Sequence, residues 1–371
     1  MKAAVYHGTR DIRLEDVPVP APADDEILVA IAAAGICGTD VSEFAHGPSL
    51  FPIDRRHAVT GHEGPMVPGH EFAGVVAAVG SAVAGFAEGD LITSGAGVSC
   101  GHCLRCDEGR TNLCTTYSTV GLERDGGLAE FTTVPAAACA NLAGRALSSD
   151  VAALAQPMSI AVHAMRRGRL REDESAVVLG AGGIGSFVVH AATSVGADVT
   201  AVDLDADRLR RAQALGAGRA VLTDRDSPVR EQLDSLSPRP SVVYECTGTP
   251  SALEAAVDLV QPGGRVVVVG LQKTPIAVDL LSVALQEKEL IGTLAHAFGA
   301  DFNDAVDLLE NETTMWAEVA PEVIPLEDLV EKGLEPMATG QPTPIKTLLD
   351  PRIGATRPFR ATADPVAQRI R

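Results

Sequence analysis

The stretch from Val177 to Asp203 constrains the fold more than any other. An apolar run, Ala176–Leu179, breaks into Gly180-Ala181-Gly182-Gly183-Ile184-Gly185; a helix-like segment follows to about Gly196, and a second apolar run ends at Asp203. This reads as strand, glycine turn, helix and strand. The spacing G-x-G-x-x-G meets three needs: Gly180 for the tight turn, Gly182 so that backbone can approach a pyrophosphate, and Gly185 so that helix can press on strand. Free N–H groups at the helix start face the phosphates, so Gly180, Gly182, Gly183, Ile184 and Gly185 are assigned to dinucleotide binding. Glycine turns also arise for packing alone, but here the flanking strand, helix and acid agree. Asp203 lies 23 residues after Gly180, where it can accept hydrogen bonds from adenosine ribose hydroxyls and would repel a 2′-phosphate. No Arg immediately follows it, and NAD is expected in preference to NADP.

A chain of 371 residues with 46% hydrophobic content has enough material for two domains. Its formal charge of −19 argues against nonspecific binding to nucleic acid or to anionic membranes. No apolar run approaches the ~20 residues that span a bilayer, and Met1-Lys2-Ala3-Ala4-Val5-Tyr6 leads straight into strand-like sequence. A cytoplasmic location is the expectation. In that setting seven cysteines are better metal ligands or buried thiols than disulfides.

Residues 1–150 read as short strands (Lys2–Tyr6, Ile27–Ala33, Phe72–Val79, Asp90–Thr93, Ala129–Val134) with a long loop between Ala45 and Pro68. An alanine-rich helix is expected over Ala152–Met165. From Ser175 strands and helices alternate, with strands at Ala176–Leu179, Val199–Asp203, Ala220–Leu222, Val242–Cys246, Val266–Gly270 and Leu290–Thr293. The fold class is therefore α/β: a parallel, doubly wound sheet over 151–294 and a β-rich domain over 1–150. Residues 295–350, with a helix at Asp301–Glu310 and apolar segments Val323–Leu329 and Ile345–Leu349, are expected to return to the first domain. The tail 351–371 carries five arginines and little apolar periodicity, and is expected to be poorly ordered or to pack on a neighbouring subunit.

Two groups of residues carry metal chemistry. Cys100, Cys103, Cys106 and Cys114 form C-x2-C-x2-C-x7-C, which can supply four thiolates to one tetrahedral zinc at about 2.3 Å with no open position, a structural site. Disulfides and an iron–sulfur cluster are the alternatives; His102, inside the lobe, is a bystander. Cys139 and Cys246 read as buried core thiols. The second group is Cys37, at a strand end in Gly35-Ile36-Cys37-Gly38-Thr39-Asp40, with Gly69-His70-Glu71 just before the strand Phe72–Val79. A thiolate, an imidazole and a carboxylate leave a fourth zinc position open, as needed to polarise an alcohol or ketone oxygen beside NAD. Gly61-His62-Glu63 repeats the tripeptide, and the later copy is preferred because a strand follows it.

These motifs, with MKAAVYHGTRDIRLEDVP, VPGHEFAGVV, YECTGTPSALEAAVDLVQPGGRVVVVG and PIKTLLDP, span nearly all of residues 1–350. The chain resembles zinc-dependent medium-chain alcohol dehydrogenases, above all the polyol and (R,R)-2,3-butanediol branch. The resemblance implies a GroES-like β-rich catalytic domain, a Rossmann domain, two zinc ions per chain, and homodimers or homotetramers joined along Rossmann sheets. It implies zinc ligation by Cys37 and His70, with Glu71 binding the zinc directly or swinging in during exchange and Thr39 taking the substrate proton. Two positions depart from the family pattern. Gln156 stands where relatives commonly carry Glu or Cys as a zinc ligand or holder of the zinc-bound water. Ser42 stands where many carry a relay His, so that the proton is expected to pass from Thr39 through the nicotinamide ribose to water or to a loop histidine such as His46 or His57. The expected activity is NAD-linked oxidation of a secondary alcohol or vicinal diol, with a small alcohol or ketone as partner; Phe44, Phe51 and the loop after Ala45 either contact the substrate or are core aromatics. The alternatives are a specialised reductase of a larger carbonyl compound and a nucleotide-binding homologue without catalytic zinc.

Overall fold

The computed structural model describes residues 1–234, 236–272, 274–311 and 315–362. The chain divides into two compact units, Met1–Gln156 together with the chain from His296 onward, and Pro157–Ala295.

The first unit is built on an eight-stranded sheet. Its central strand, Glu26–Gly35, is almost continuously apolar and buried, as a strand covered on both faces must be. It pairs antiparallel with Glu71–Val79 on one side, with Phe131–Pro135, and with Leu348–Asp350 near its end. Ile27, Val29 and Ile31 pack with Phe72, Val76 and Ile92 into one core. The register sets Gly35 opposite both Glu71 and Leu348, so three distant segments meet at one end of the sheet. That end carries the candidate metal ligands Cys37, His70 and Glu71.

In the second unit six parallel strands form one sheet, numbered here β1 (Ser175–Leu179), β2 (Asp198–Asp203), β3 (Arg219–Leu222), β4 (Val242–Glu245), β5 (Arg265–Val268) and β6 (Glu289–Gly292). Their order is 3-2-1-4-5-6, the doubly wound arrangement whose ligands bind at the carboxyl ends of the strands. Val177, Leu179, Val202, Val243 and Val266 pack against Leu253, Ala256 and Val257 of the helix Pro250–Leu259.

Two sequence expectations need correction, and one apolar segment resolves into two elements. The helix expected over Ala152–Met165 is two helices, Ser149–Ala152 and Ala155–Arg167, in part because Pro157 fits only a first helical turn. Val323–Leu329 is a strand, Glu322–Pro325, followed by a tight helical turn. The first part of the tail is ordered on its own chain. Arg357–Pro358 pairs antiparallel with Glu322–Val323, and Arg357 Nη1 and Nη2 donate to Asp150 Oδ2 and Oδ1 at 2.6 and 2.8 Å. Arg360 N adds a third bond to Asp150, whose carboxylate is fully buried and needs such partners. Residues 363–371 of the tail lie outside the described residues.

Candidate metal and dinucleotide sites

Cys37 ends the turn after the central strand and caps the helix Gly38–His46. Asp40 Oδ2 accepts from Cys37 N at 2.9 Å, fixing the turn that presents the thiol. His70 and Glu71 enter from the facing strand, and the ligand atoms of Cys37, His70 and Glu71 all lie within 4.8 Å of one another. His70 Nδ1 faces Asp40 Oδ1 at 3.7 Å, which leaves Nε2 available as a ligand, the usual arrangement of a carboxylate behind a metal-binding imidazole. Neither atom of that facing pair has another hydrogen-bond partner among the described residues. Burial pushes the His70 imidazole down, but Cys37, Asp40 and Glu71 around it more than offset this and hold it up at about 10. Buried acidic donors that draw a proton this strongly fit a divalent cation.

Two side chains of this site escaped the sequence reading. Asp40 is one, and Lys346 is the other: its Nζ donates to both carboxylate oxygens of Glu71, Oε2 at 2.6 Å. The signal was a lysine inside the apolar run Ile345–Leu349, a charge that a buried strand has to pair. With Lys346 opposing Asp40 in charge, a divalent cation held by the Cys37 thiolate and the Glu71 carboxylate would give a neutral site.

Thr39 Oγ1 lies 3.9 Å from Cys37 Sγ, so the structure keeps this hydroxyl beside the Cys37 thiol. Ser42 follows one helical turn later and is half-buried, and Gln156 is buried at the start of the helix Ala155–Arg167. His46 is exposed at the end of its helix, whereas His57 Nδ1 contacts Thr60 Oγ1 at 3.1 Å. No hydrogen bond joins either histidine to Thr39 among the described residues. His62 is tied to the carbonyl of Gly64 at 3.2 Å and is not among the grouped ligands. Phe44 and Phe51 are core aromatics: Phe51 meets Tyr6 edge-on at 4.9 Å beside Met66, and Phe44 packs in the main core of the unit.

The four cysteines of the lobe form the second group. Sulfur separations are 3.6 Å for Cys103–Cys106, 3.9 Å for Cys103–Cys114 and 4.0 Å for Cys100–Cys106. A tetrahedral ion about 2.3 Å from each sulfur sets them about 3.8 Å apart, whereas a disulfide needs about 2.05 Å. The donor set therefore fits one ion and excludes the disulfide alternative. Backbone N–H groups, first that of Thr115, hold the Cys103 thiol down to about 5 and favour the thiolate. His102 is exposed and bonded to the Cys100 carbonyl, outside the ligand set. Cys139 is buried, and burial pushes its thiol and that of Cys246 up.

In the second unit Gly180 has φ +91°, and a Cβ on Gly185 would run into the Gly180 carbonyl oxygen. These two glycines are dictated by the turn itself. Gly182 is different. It is the N-cap of the helix Gly183–Ser194, and the nearest atom to a Cβ there would be Arg208 Nη1 at 3.7 Å. No protein atom demands glycine at this position, but a pyrophosphate resting on the helix N-terminus would. Asp203 accepts from Ala181 N at 2.7 Å through Oδ2 and from Asp205 N at 3.0 Å through Oδ1. Arg208 Nη1 lies 3.9 Å from its Oδ1, a cation that the sequence reading missed because it is five residues further on.

The sequence matches the alcohol dehydrogenase GroES-like domain over residues 23–144 and the zinc-binding dehydrogenase domain over residues 183–311. It is 34% identical to sorbitol dehydrogenase of Bacillus subtilis over 80% of this chain and 83% of that one. The chain belongs to the zinc-dependent medium-chain alcohol dehydrogenase family. Among solved structures, the dehydrogenase resembles 2R,3R-butanediol dehydrogenase from Bacillus subtilis with a TM-score of 0.85 at 28% identity, covering 95% of this chain and 99% of that one. A zinc-binding dehydrogenase from Sinorhizobium meliloti, bound to NADP, has a TM-score of 0.82 at 28% identity, covering 94% and 99%. No helix among the described residues is long and apolar enough to cross a membrane.

Proposed function

We propose that this dehydrogenase oxidises a secondary alcohol or vicinal diol with NAD, reversibly reducing the corresponding ketone. The observation that carries the reading is the buried group of Cys37, His70 and Glu71 with the Thr39 hydroxyl 3.9 Å from the Cys37 sulfur. When bound, zinc supplies Lewis acidity toward the substrate oxygen and the nicotinamide ring accepts the hydride. Cys37, His70 and Glu71 would hold that ion, with Gln156 a further ligand or hydrogen-bonding group; Cys100, Cys103, Cys106 and Cys114 would hold a second, structural one. Thr39 Oγ1 receives the proton of the substrate hydroxyl while passing its own onward. Gln156 is neutral and cannot act as a base near neutral pH. With Ser42 unable to store a proton either, the relay past Thr39 ends in solvent.

NAD is preferred to NADP because a 2′-phosphate would meet the Asp203 carboxylate, even with Arg208 beside it. A small diol fits the likeness to sorbitol and butanediol dehydrogenases. A homodimer or homotetramer fits the exposed apolar surface of the second unit, where Leu271 and Leu285 are 76% and 77% exposed and Leu280 and Leu281 lie close by in sequence.

The test combines metal analysis with turnover. Protein purified without added metal is expected to hold two zinc ions per chain and to reduce NAD with (R,R)-2,3-butanediol or sorbitol, with NADP at least about tenfold poorer in kcat/KM. One zinc ion per chain and no turnover after zinc is restored would overturn the zinc-assisted reading. Preference for NADP would overturn the role given to Asp203.

A further inference from the structure

Glu245 is the last residue of β4, and it is fully buried. Among the described residues, every partner of its carboxylate is a donor. Oε1 accepts from Thr247 N at 2.7 Å, Thr247 Oγ1 at 2.5 Å and Gly248 N at 3.0 Å. Oε2 accepts from Gln272 Nε2 at 2.9 Å and from Gly248 N at 3.3 Å. The main-chain carbonyl of the same residue takes Val269 N at 2.9 Å and Gly270 N at 2.8 Å. One residue therefore ties the loop after β4 to the loop after β5. Only an acceptor-only group, an ionised carboxylate, satisfies this ring of donors.

The same contact fixes the amide of Gln272. Its Nε2 has to face Glu245, which turns Oε1 away. That Oε1 is buried and has no hydrogen-bond partner among the described residues. A buried acceptor left unmade is costly, so the arrangement calls for a donor from a bound molecule.

The sheet shows which molecule. Leu179 of β1 pairs with Val202 of β2 on one side and with Glu245 of β4 on the other. The glycine turn therefore begins between Asp203 and Glu245, and a Cβ on Gly180 would lie 2.7 Å from Thr247 Cγ2. A dinucleotide with its pyrophosphate on that turn runs along the strand ends, one nucleoside toward β2 and the other toward β4 and β5. Asp203 marks the adenosine side.

We propose that Glu245 is a positioning residue for the nicotinamide half of the cofactor: it locks the two loops and aims Gln272 Oε1 at a donor of that half, a ribose hydroxyl or a carboxamide N–H. The inference rests on the dinucleotide reading above, and the two fail differently.

The experiment titrates wild type, Glu245→Gln and Gln272→Ala with NADH, followed by nicotinamide fluorescence, and with ADP, followed by calorimetry, alongside a thermal melt. Wild type is expected to bind both ligands. Glu245→Gln sets a new donor among donors and is expected to weaken NADH by about tenfold or more while leaving ADP within about twofold. Gln272→Ala keeps the loops and is expected to weaken NADH severalfold with ADP unchanged, so the inference stays testable if Glu245→Gln does not fold. Unchanged NADH affinity in both variants overturns the inference. Equal weakening of NADH and ADP also overturns it, since that is a general loosening of the sheet. A wild-type chain that binds neither ligand would overturn the dinucleotide reading, and this inference with it.

Discussion

Lys346 Nζ donates to both carboxylate oxygens of Glu71, and neither side chain keeps more than 4% of its surface. Burial alone would push the lysine down, but Glu71 and Cys37 more than offset it and hold the ammonium charged. Each carboxylate oxygen has a second lone pair, so this bond does not prevent Glu71 from binding a metal. Lys346 thus keeps Glu71 in place and, when no metal is bound, neutralises it.

In metal-free protein Lys346→Met is expected to cost about 3–5 kcal/mol in urea unfolding, because it strands the Glu71 carboxylate. Against a total stability of about 5–15 kcal/mol this is a large fraction. Adding Glu71→Gln removes the stranded charge and should recover most of the loss. Equal and additive costs for the two substitutions would show that the pair is not coupled.

Cys103→Ser should remove one zinc ion per chain and leave the other. The lobe it belongs to reaches the rest of the first unit in part through Thr111 Oγ1, which accepts from Phe298 N at 3.0 Å. Proteolysis is therefore expected first within the lobe, with the sheet intact. Loss of both ions in this variant, measured by elemental analysis, would contradict two independent sites.

All three tyrosines are held neutral. Burial pushes Tyr6 and Tyr117 up to about 12 and Tyr244 higher still. An exposed phenol ionises near pH 10, so between about pH 10 and 12 the unfolded chain binds fewer protons than the folded one, and stability falls as pH rises. Below pH 10 these groups contribute no pH dependence. Tyrosinate absorbance near 295 nm should rise together with loss of helical circular dichroism; a component titrating near pH 10 in folded protein would show a tyrosine in contact with solvent.

Much of the first metal group is legible in the sequence because its ligands are of the right types and stand beside glycine at the ends of apolar strands. Lys346 is not, because it lies 275 positions from Glu71 and only the pairing of Leu348 with Gly35 brings them together. The tail misled for a related reason. Apolar periodicity is the sequence signal for order, but Arg357 is held by a buried acid 207 positions earlier, an ionic contact without a period. Phe51 could be read either way because an aromatic beside a loop has the same sequence signature whether it faces a ligand or Tyr6.

The glycine turn separates what the fold requires from what a ligand requires. Gly185→Ala must push its methyl into the Gly180 carbonyl and is expected to destabilise the second unit, lowering its melting temperature. Gly182→Ala meets nothing closer than 3.7 Å and sits at φ −80°, which any residue adopts. Its cost to stability is expected to be about 1 kcal/mol or less, the difference between glycine and alanine at an N-cap. Its effect should fall on binding, because the methyl occupies the space through which a pyrophosphate reaches the N–H groups of the helix. NADH and ADP should both weaken by about tenfold or more, unlike the selective loss in Glu245→Gln. If Gly182→Ala bound both ligands as wild type does, the phosphates would lie elsewhere, and the G-x-G-x-x-G spacing would in this chain serve packing alone.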